Sequence, residues 1–145
     1  MMRVLMRSDL QSCFIAIFVS MFVQMGITGT LTMQLIQNYD CEASTAYYFM
    51  AVWGTGLTLG NCISSCLLKK MRKTIYASFA GLIFSLLLIG PTNAPILLSH
   101  LTDAGKLYVM GFGLFVMGLT SALLQTMSNI GSVERAQAWA RTELS

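Results

Sequence analysis

The nine Lys and Arg and the six Asp and Glu of this chain all lie outside four apolar runs, residues 12–39, 43–68, 74–98 and 107–133. Each run exceeds the ~20 residues that a helix needs to cross ~30 Å of hydrocarbon. Placing a charged side chain at the centre of a bilayer is costly, so this segregation of charge restricts the chain to a small set of folds. The expected architecture is all-α: an integral membrane protein of four transmembrane helices, over about 13–37, 45–68, 74–90 and 107–130, forming a single domain over 1–145. The third helix is expected to break near Gly90-Pro91, because proline lacks an N–H and constrains the residue before it. Composition agrees: 55% of residues are hydrophobic and only 10% charged, with a mean hydropathy of +0.67, against about 25% charged residues in an ordinary soluble domain.

The cations set the expected orientation. Arg3 and Arg7 precede the first run, Lys69, Lys70, Arg72 and Lys73 separate the second from the third, and Arg135 and Arg141 follow the fourth. The two loops on the other side hold only Lys106. The positive-inside bias therefore places both termini and the basic turn in the cytoplasm. On this reading the net charge of +3 serves membrane topology, and no nucleic-acid partner is implied. A cleaved leader is the alternative for the N-terminus, but the first run is too long for such a segment and lacks a small-x-small cleavage site.

Chemistry is sparse. No run holds a charged general acid or base, which argues against an enzyme. Cys62 and Cys66, four apart, share a helix face, yet a metal needs further ligands and the single His100 falls in the opposite loop. The expectation is no metal and no cofactor, with the cysteines as small buried thiols in helix packing; Cys41 has no second cysteine on its side. The eleven methionines form no cluster of the kind that would suit copper and read as lipid-facing or core filler. Gly56 and Gly60 on the second run and Gly111, Gly113 and Gly118 on the fourth sit where small residues let helix backbones approach closely. Uncharged polar residues inside the runs must find partners in hydrocarbon. Of these, Gln24, Gln34, Asn61 and Gln125 are the candidates to line a substrate path, with interhelical hydrogen bonding as the competing role. Beyond the fourth run, GSVERAQAWARTELS reads either as a short interfacial helix with Trp139 at headgroup depth or as a disordered end.

Two runs joined by SCLLKKMRK, followed by LLLIGPTNAPILL, a loop and LYVMGFGLFVMGLTSALLQT, resemble part of a major facilitator superfamily transporter, in its vesicular-amine-transporter-like branch. The likeness covers roughly residues 14–133 and corresponds to helices seven to ten of a twelve-helix carrier. It implies alternating access for a small organic solute, with substrate held between two bundles. The turn departs from the family pattern: the family's Gly falls on Ser65 and its acid on Lys69, while the cations Lys69, Lys70, Arg72 and Lys73 of a gate-like turn are kept. Four helices alone leave packing faces open, which implies further transmembrane chains or a homo-oligomer, besides the lipid bilayer, as partners. A second expectation, of a different class, is drawn from the absence of buried charge, the small-residue faces and the start at Met1: a non-transporting four-helix subunit or adaptor of a larger membrane complex. A pore built from copies of the unit is weaker, since no helix carries a continuous polar stripe.

Overall fold

The structure, a computed structural model, describes residues 8–39, 42–89 and 101–143. Among them it contains helices and no strand: α1 (Ser8–Tyr39), α2 (Ala43–Leu67), a short 3₁₀ turn (Leu68–Lys70), α3 (Met71–Ile89) and α4 (Asp103–Glu143). Three segments are long and apolar enough to cross a membrane, Cys13–Gln37, Ser44–Ile89 and Asp103–Ala138. The second of these folds back on itself. Gly56 of α2 meets Phe115 and Leu119 of α4, and Gly81 of α3 meets Thr120. A straight helix would hold positions 56 and 81 roughly 37 Å apart, whereas positions 115 and 120 of α4 are roughly 7 Å apart along its axis. The chain therefore reverses at the 3₁₀ turn, where Lys69 and Lys70 lie exposed.

Local signals start the helices. Thr102 caps α4: its Oγ1 accepts from the Gly105 N–H at 3.4 Å, and its carbonyl accepts from the Lys106 N–H at 3.0 Å. Asp103 in the first turn suits the positive end of the helix dipole and pairs with Lys106 at 2.8 Å. At the start of α2 the Glu42 carbonyl accepts from the Thr45 N–H at 2.9 Å. α3 ends at Ile89; the Gly90-Pro91 break, His100 and Cys41 lie outside the described residues.

α4 is the axis on which α1, α2 and α3 all pack, while α1 and α3 touch each other little. Landmarks fix the directions. Cys13 and Met71 both approach Gly131, Gln24 reaches Gln125, and Ile89 meets Gly113, so α1 and α3 run antiparallel to α4. Phe49 meets Gly111, and Asn61 meets Thr126, so α2 runs parallel to it. The bundle thus alternates in direction from helix to helix. The basic turn, the first turns of α1 and the last turns of α4 gather at one end.

The exterior is apolar where that of a soluble protein is polar, and small hydroxyls are buried inside. Ser20, Ser85, Ser121 and Ser128 are at most 1% exposed, whereas Phe18, Phe22, Met25 and Tyr108 are 70% or more exposed. At the end remote from the basic turn an apolar core joins Leu31 and Leu35 of α1, Ala46 of α2, Leu82 and Ile89 of α3, and Met110, Leu114 and Met117 of α4. Towards the basic end Ser20, Ser78 and Ser128 join Ala16, Leu124 and Met127 in the interior. Methionine takes both roles foreseen for it, since Met117 and Met127 are fully buried and Met25 and Met33 face outward.

Two expectations need correction. Cys62 and Cys66 are exposed thiols on the outer face of α2 and are not packed inside; only Cys13 of the described cysteines is buried. The tail is neither a separate interfacial helix nor an unstructured end, because α4 continues unbroken through it to Glu143. Good helix formers, among them Ala136, Gln137, Ala138 and Arg141, follow the last apolar turn, so nothing in the backbone's preferences ends the helix where hydropathy falls.

Candidate functional site

Three of the four amides singled out from the sequence meet on neighbouring positions of α4. Gln125 Nε2 donates towards Gln24 Oε1 and Ser20 Oγ of α1, each at 3.4 Å. On the adjacent residue, Thr126 Oγ1 donates to Asn61 Oδ1 of α2 at 3.0 Å. α4 therefore ties both neighbours at one level through side chains more than sixty positions away in sequence. Gln34 lies ten residues further along α1, roughly 15 Å from Gln24 along the axis, and its side chain is outside those described.

Around this node runs a seam of buried hydroxyls that the sequence reading passed over. Ser78 and Ser85 lie on the inner face of α3, Ser20 on α1, and Ser121 and Ser128 on α4. The signal for them was present: 78 and 85, like 121 and 128, are seven apart, two turns along one helical face. Ser85 Oγ donates to the Leu82 carbonyl of its own helix at 2.7 Å. By contrast, the Oγ atoms of Ser78, Ser121 and Ser128 and the Nε2 of Gln24 are buried with no hydrogen-bond partner. A buried polar group left unpaired costs about 1–3 kcal/mol. Four such groups on three facing helices thus favour a polar guest, water or solute, between them. The outward hydroxyls differ: Thr55, Thr58 and Ser65 donate to carbonyls of their own helix at 2.8, 3.0 and 3.0 Å.

The basic turn lies beside α4. Lys69, Lys70, Arg72 and Lys73 line a groove completed by Ile130 and Glu134. Ser65 sits one turn before Lys69, on the exposed side of α2. Among the described residues the carboxylate that lines this groove is Glu134 of α4, which the sequence gives no reason to place there until the antiparallel register of α3 and α4 is known.

The five packing glycines do not behave alike. A methyl group at Gly56 would strike the Phe115 carbonyl, and one at Gly118 the Trp53 carbonyl. At Gly60 it would come within 2.6 Å of the Leu119 carbonyl and 2.8 Å of Ala122 Cβ. These three make a backbone-to-backbone contact between α2 and α4. Gly113 faces the side chains of Ile89 and Leu88 at 2.9 and 3.0 Å, and Gly111 only the Phe49 ring at 3.4 Å. Among the described residues no three His, Cys, Asp or Glu side chains come together as a metal site. Compared with family models, with curated proteins and with solved structures, the chain matches none.

Proposed function

We propose that the chain is an integral, multi-pass membrane protein in which each of the four helices crosses once, with the basic turn and both ends of the chain on the cytoplasmic side. Its role is that of a transporter-like bundle, a partial carrier of the major facilitator kind for a small organic solute. The observation that supports this most directly is the contact of Gln24 with Gln125, set among the buried, unpaired Ser78, Ser121 and Ser128 hydroxyls, with the exposed Asn61–Thr126 bond one position further along α4. Helix adhesion alone gains from pairing polar atoms and loses by leaving them unpaired. A path that receives a hydrogen-bonding solute has a use for them. In such carriers the substrate lies between two bundles, so this bundle supplies one wall, and a further transmembrane chain or a second copy supplies the other.

The test replaces Cys13, Cys41, Cys62 and Cys66 with Ala, then introduces single cysteines at Gln24, Ser121 and Gln125, with Phe18→Cys as a lipid-facing control. Reconstituted vesicles are treated with a small, charged, membrane-impermeant thiol reagent. Labelling at the three seam positions and not at position 18 is expected. A seam as unreactive as the control is sealed, and the transport reading fails.

A second reading keeps the membrane placement and drops transport: a four-helix subunit of a larger complex. The exposed small-residue face of α2, with Thr55, Thr58, Cys62 and Ser65 at helical spacing, favours it, since such faces admit another helix closely. The thiol labelling separates the two readings, since the subunit needs no solvated seam; the mass of the particle extracted in mild detergent then tells whether the partner is a second copy or a different chain.

A further inference from the structure

Two thiols stand on one outward strip of α2 beside the basic turn. Cys62 and Cys66 are four residues apart, roughly 40° from each other around the helix, and both are free and exposed, whereas Cys13 is buried. Cys66 precedes Lys69 by three residues, roughly 4.5 Å along the axis, and Cys62 precedes it by roughly 10 Å. Lys69, Lys70, Arg72 and Lys73 are exposed. Cations at the end of a membrane helix reach for the headgroup boundary, so Cys66 lies at that boundary and Cys62 one turn inside it. The strip then continues in side chains suited to hydrocarbon. Leu59 and Ile63 are 42% and 41% exposed, and the Thr55 hydroxyl is occupied by the Ala51 carbonyl at 2.8 Å. The thiols also have a direction. Side chains of a helix tilt towards its N-terminus, and α2 starts at the end remote from the basic turn, so both thiols lean away from the cations and along the strip.

We propose that Cys66, with Cys62 as a second acceptor, is a modification site that carries a long-chain acyl group in thioester linkage. Juxtamembrane cysteines are the residues that take this reversible modification. The geometry meets its two demands: a thiol at headgroup depth that an acyl donor reaches from the aqueous side, and a path for the chain into the leaflet. In the reaction the Cys66 sulfur attacks the carbonyl carbon of an acyl thioester of the coenzyme A class. The new C–S bond replaces the bond to the carrier sulfur, which leaves as a thiol with the proton that Cys66 gives up, so nothing is oxidised or reduced. One leaflet of hydrocarbon, roughly 15 Å deep, matches about ten residues of α2. A chain that starts at Cys66 therefore runs beside Cys62, Ile63 and Leu59 to the level of Gly56. The inference rests on the cytoplasmic placement of the basic turn proposed above and not on transport. An acyl chain along this strip occupies the face that the subunit reading offers to a partner helix.

The test expresses the full chain in cells that S-acylate proteins. Free thiols are blocked with N-ethylmaleimide, thioesters are cleaved with neutral hydroxylamine, and each released thiol is tagged with a maleimide-linked polyethylene glycol, so that every acylated cysteine adds one mass step on a gel. The wild type is expected to show hydroxylamine-dependent steps, C66A to lose one, C62A/C66A to lose all, and C13A to match the wild type. The wild-type count needs no variant to fold. The side of the membrane is read separately from Lys70→Cys in a chain whose four native cysteines are Ala, labelled by an impermeant maleimide in cells whose surface membrane alone is opened. Absence of steps in the wild type while position 70 is labelled from the cytoplasm, or steps that persist in C62A/C66A, overturns the proposal and leaves the placement standing. Absence of steps with position 70 closed to the cytoplasm overturns both.

Discussion

Gly54 and Gly56 are two positions apart on one helix, and alanine at each should move stability in opposite directions. In a helix interior alanine is favoured over glycine by about 1 kcal/mol, so a site with room should gain. Gly54 has room: a Cβ there would meet nothing within 4 Å. At Gly56 it would meet the Phe115 carbonyl, and its two companions in the same contact, Gly60 and Gly118, leave no slack. The size of the required shift can be worked from Gly60, where the nearest atom would stand at 2.6 Å against an ordinary contact that begins at 3.4 Å. α2 and α4 must part by most of an ångström, and more at Gly56. Gaps of 0.5–1 Å forfeit roughly a quarter to a half of each dispersion contact, and overpacking a tight site costs about 1–3 kcal/mol. Set against the propensity gain, Gly56→Ala should be less stable than wild type by up to about 2 kcal/mol, and Gly54→Ala more stable by up to about 1 kcal/mol. Unfolding of both variants in mixed micelles, titrated with SDS and followed by circular dichroism, measures the difference. Gly56→Ala as stable as Gly54→Ala would refute the close backbone contact from which the magnitude is drawn.

Two further outcomes follow from the node and the turn. Gln125→Leu strands Gln24 and Ser20 and should destabilise by about 1–2 kcal/mol, whereas Gln24→Leu combined with Gln125→Leu should recover part of that loss, because removing both partners is cheaper than orphaning one; the same SDS titration reads both. Replacing Lys69, Lys70, Arg72 and Lys73 by Gln removes half of the cations expected to set orientation, and should convert a uniform insertion into a mixed one, seen as partial protease protection of a C-terminal tag expected to be wholly accessible from the cytoplasmic face in the wild type.

The apolar runs were legible because charge is excluded from them for a reason that acts residue by residue. The same reasoning says less about where helices end. The fourth span, 107–130, follows hydropathy, whereas backbone hydrogen bonding does not stop at the first charge, and α4 runs on through Glu134 and Arg135. The glycines show a second limit. Gly54 and Gly56 look alike in sequence; which one touches a neighbouring backbone depends on the rotation and register of α4 against α2, a property of two helices together. Gln24 and Gln125 were each recognisable as polar residues in hydrocarbon, but their meeting across a hundred positions required the antiparallel path of α1 and α4. The exposure of Cys62 and Cys66 was missed because a thiol is apolar enough for either face, so its hydropathy does not choose one.

α4 is also a shaft. It carries no proline, spans roughly 60 Å from end to end, and is gripped by three helices along its course. A shaft of this kind transmits displacement without needing a hinge of its own. A tilt of about ten degrees about Thr120 moves the tip at Glu143 by roughly 6 Å, enough to make or break a contact with whatever meets it. Any rearrangement at the amide node, which sits on this same helix, is therefore delivered as movement at the far end, and a touch at the far end is felt at the node.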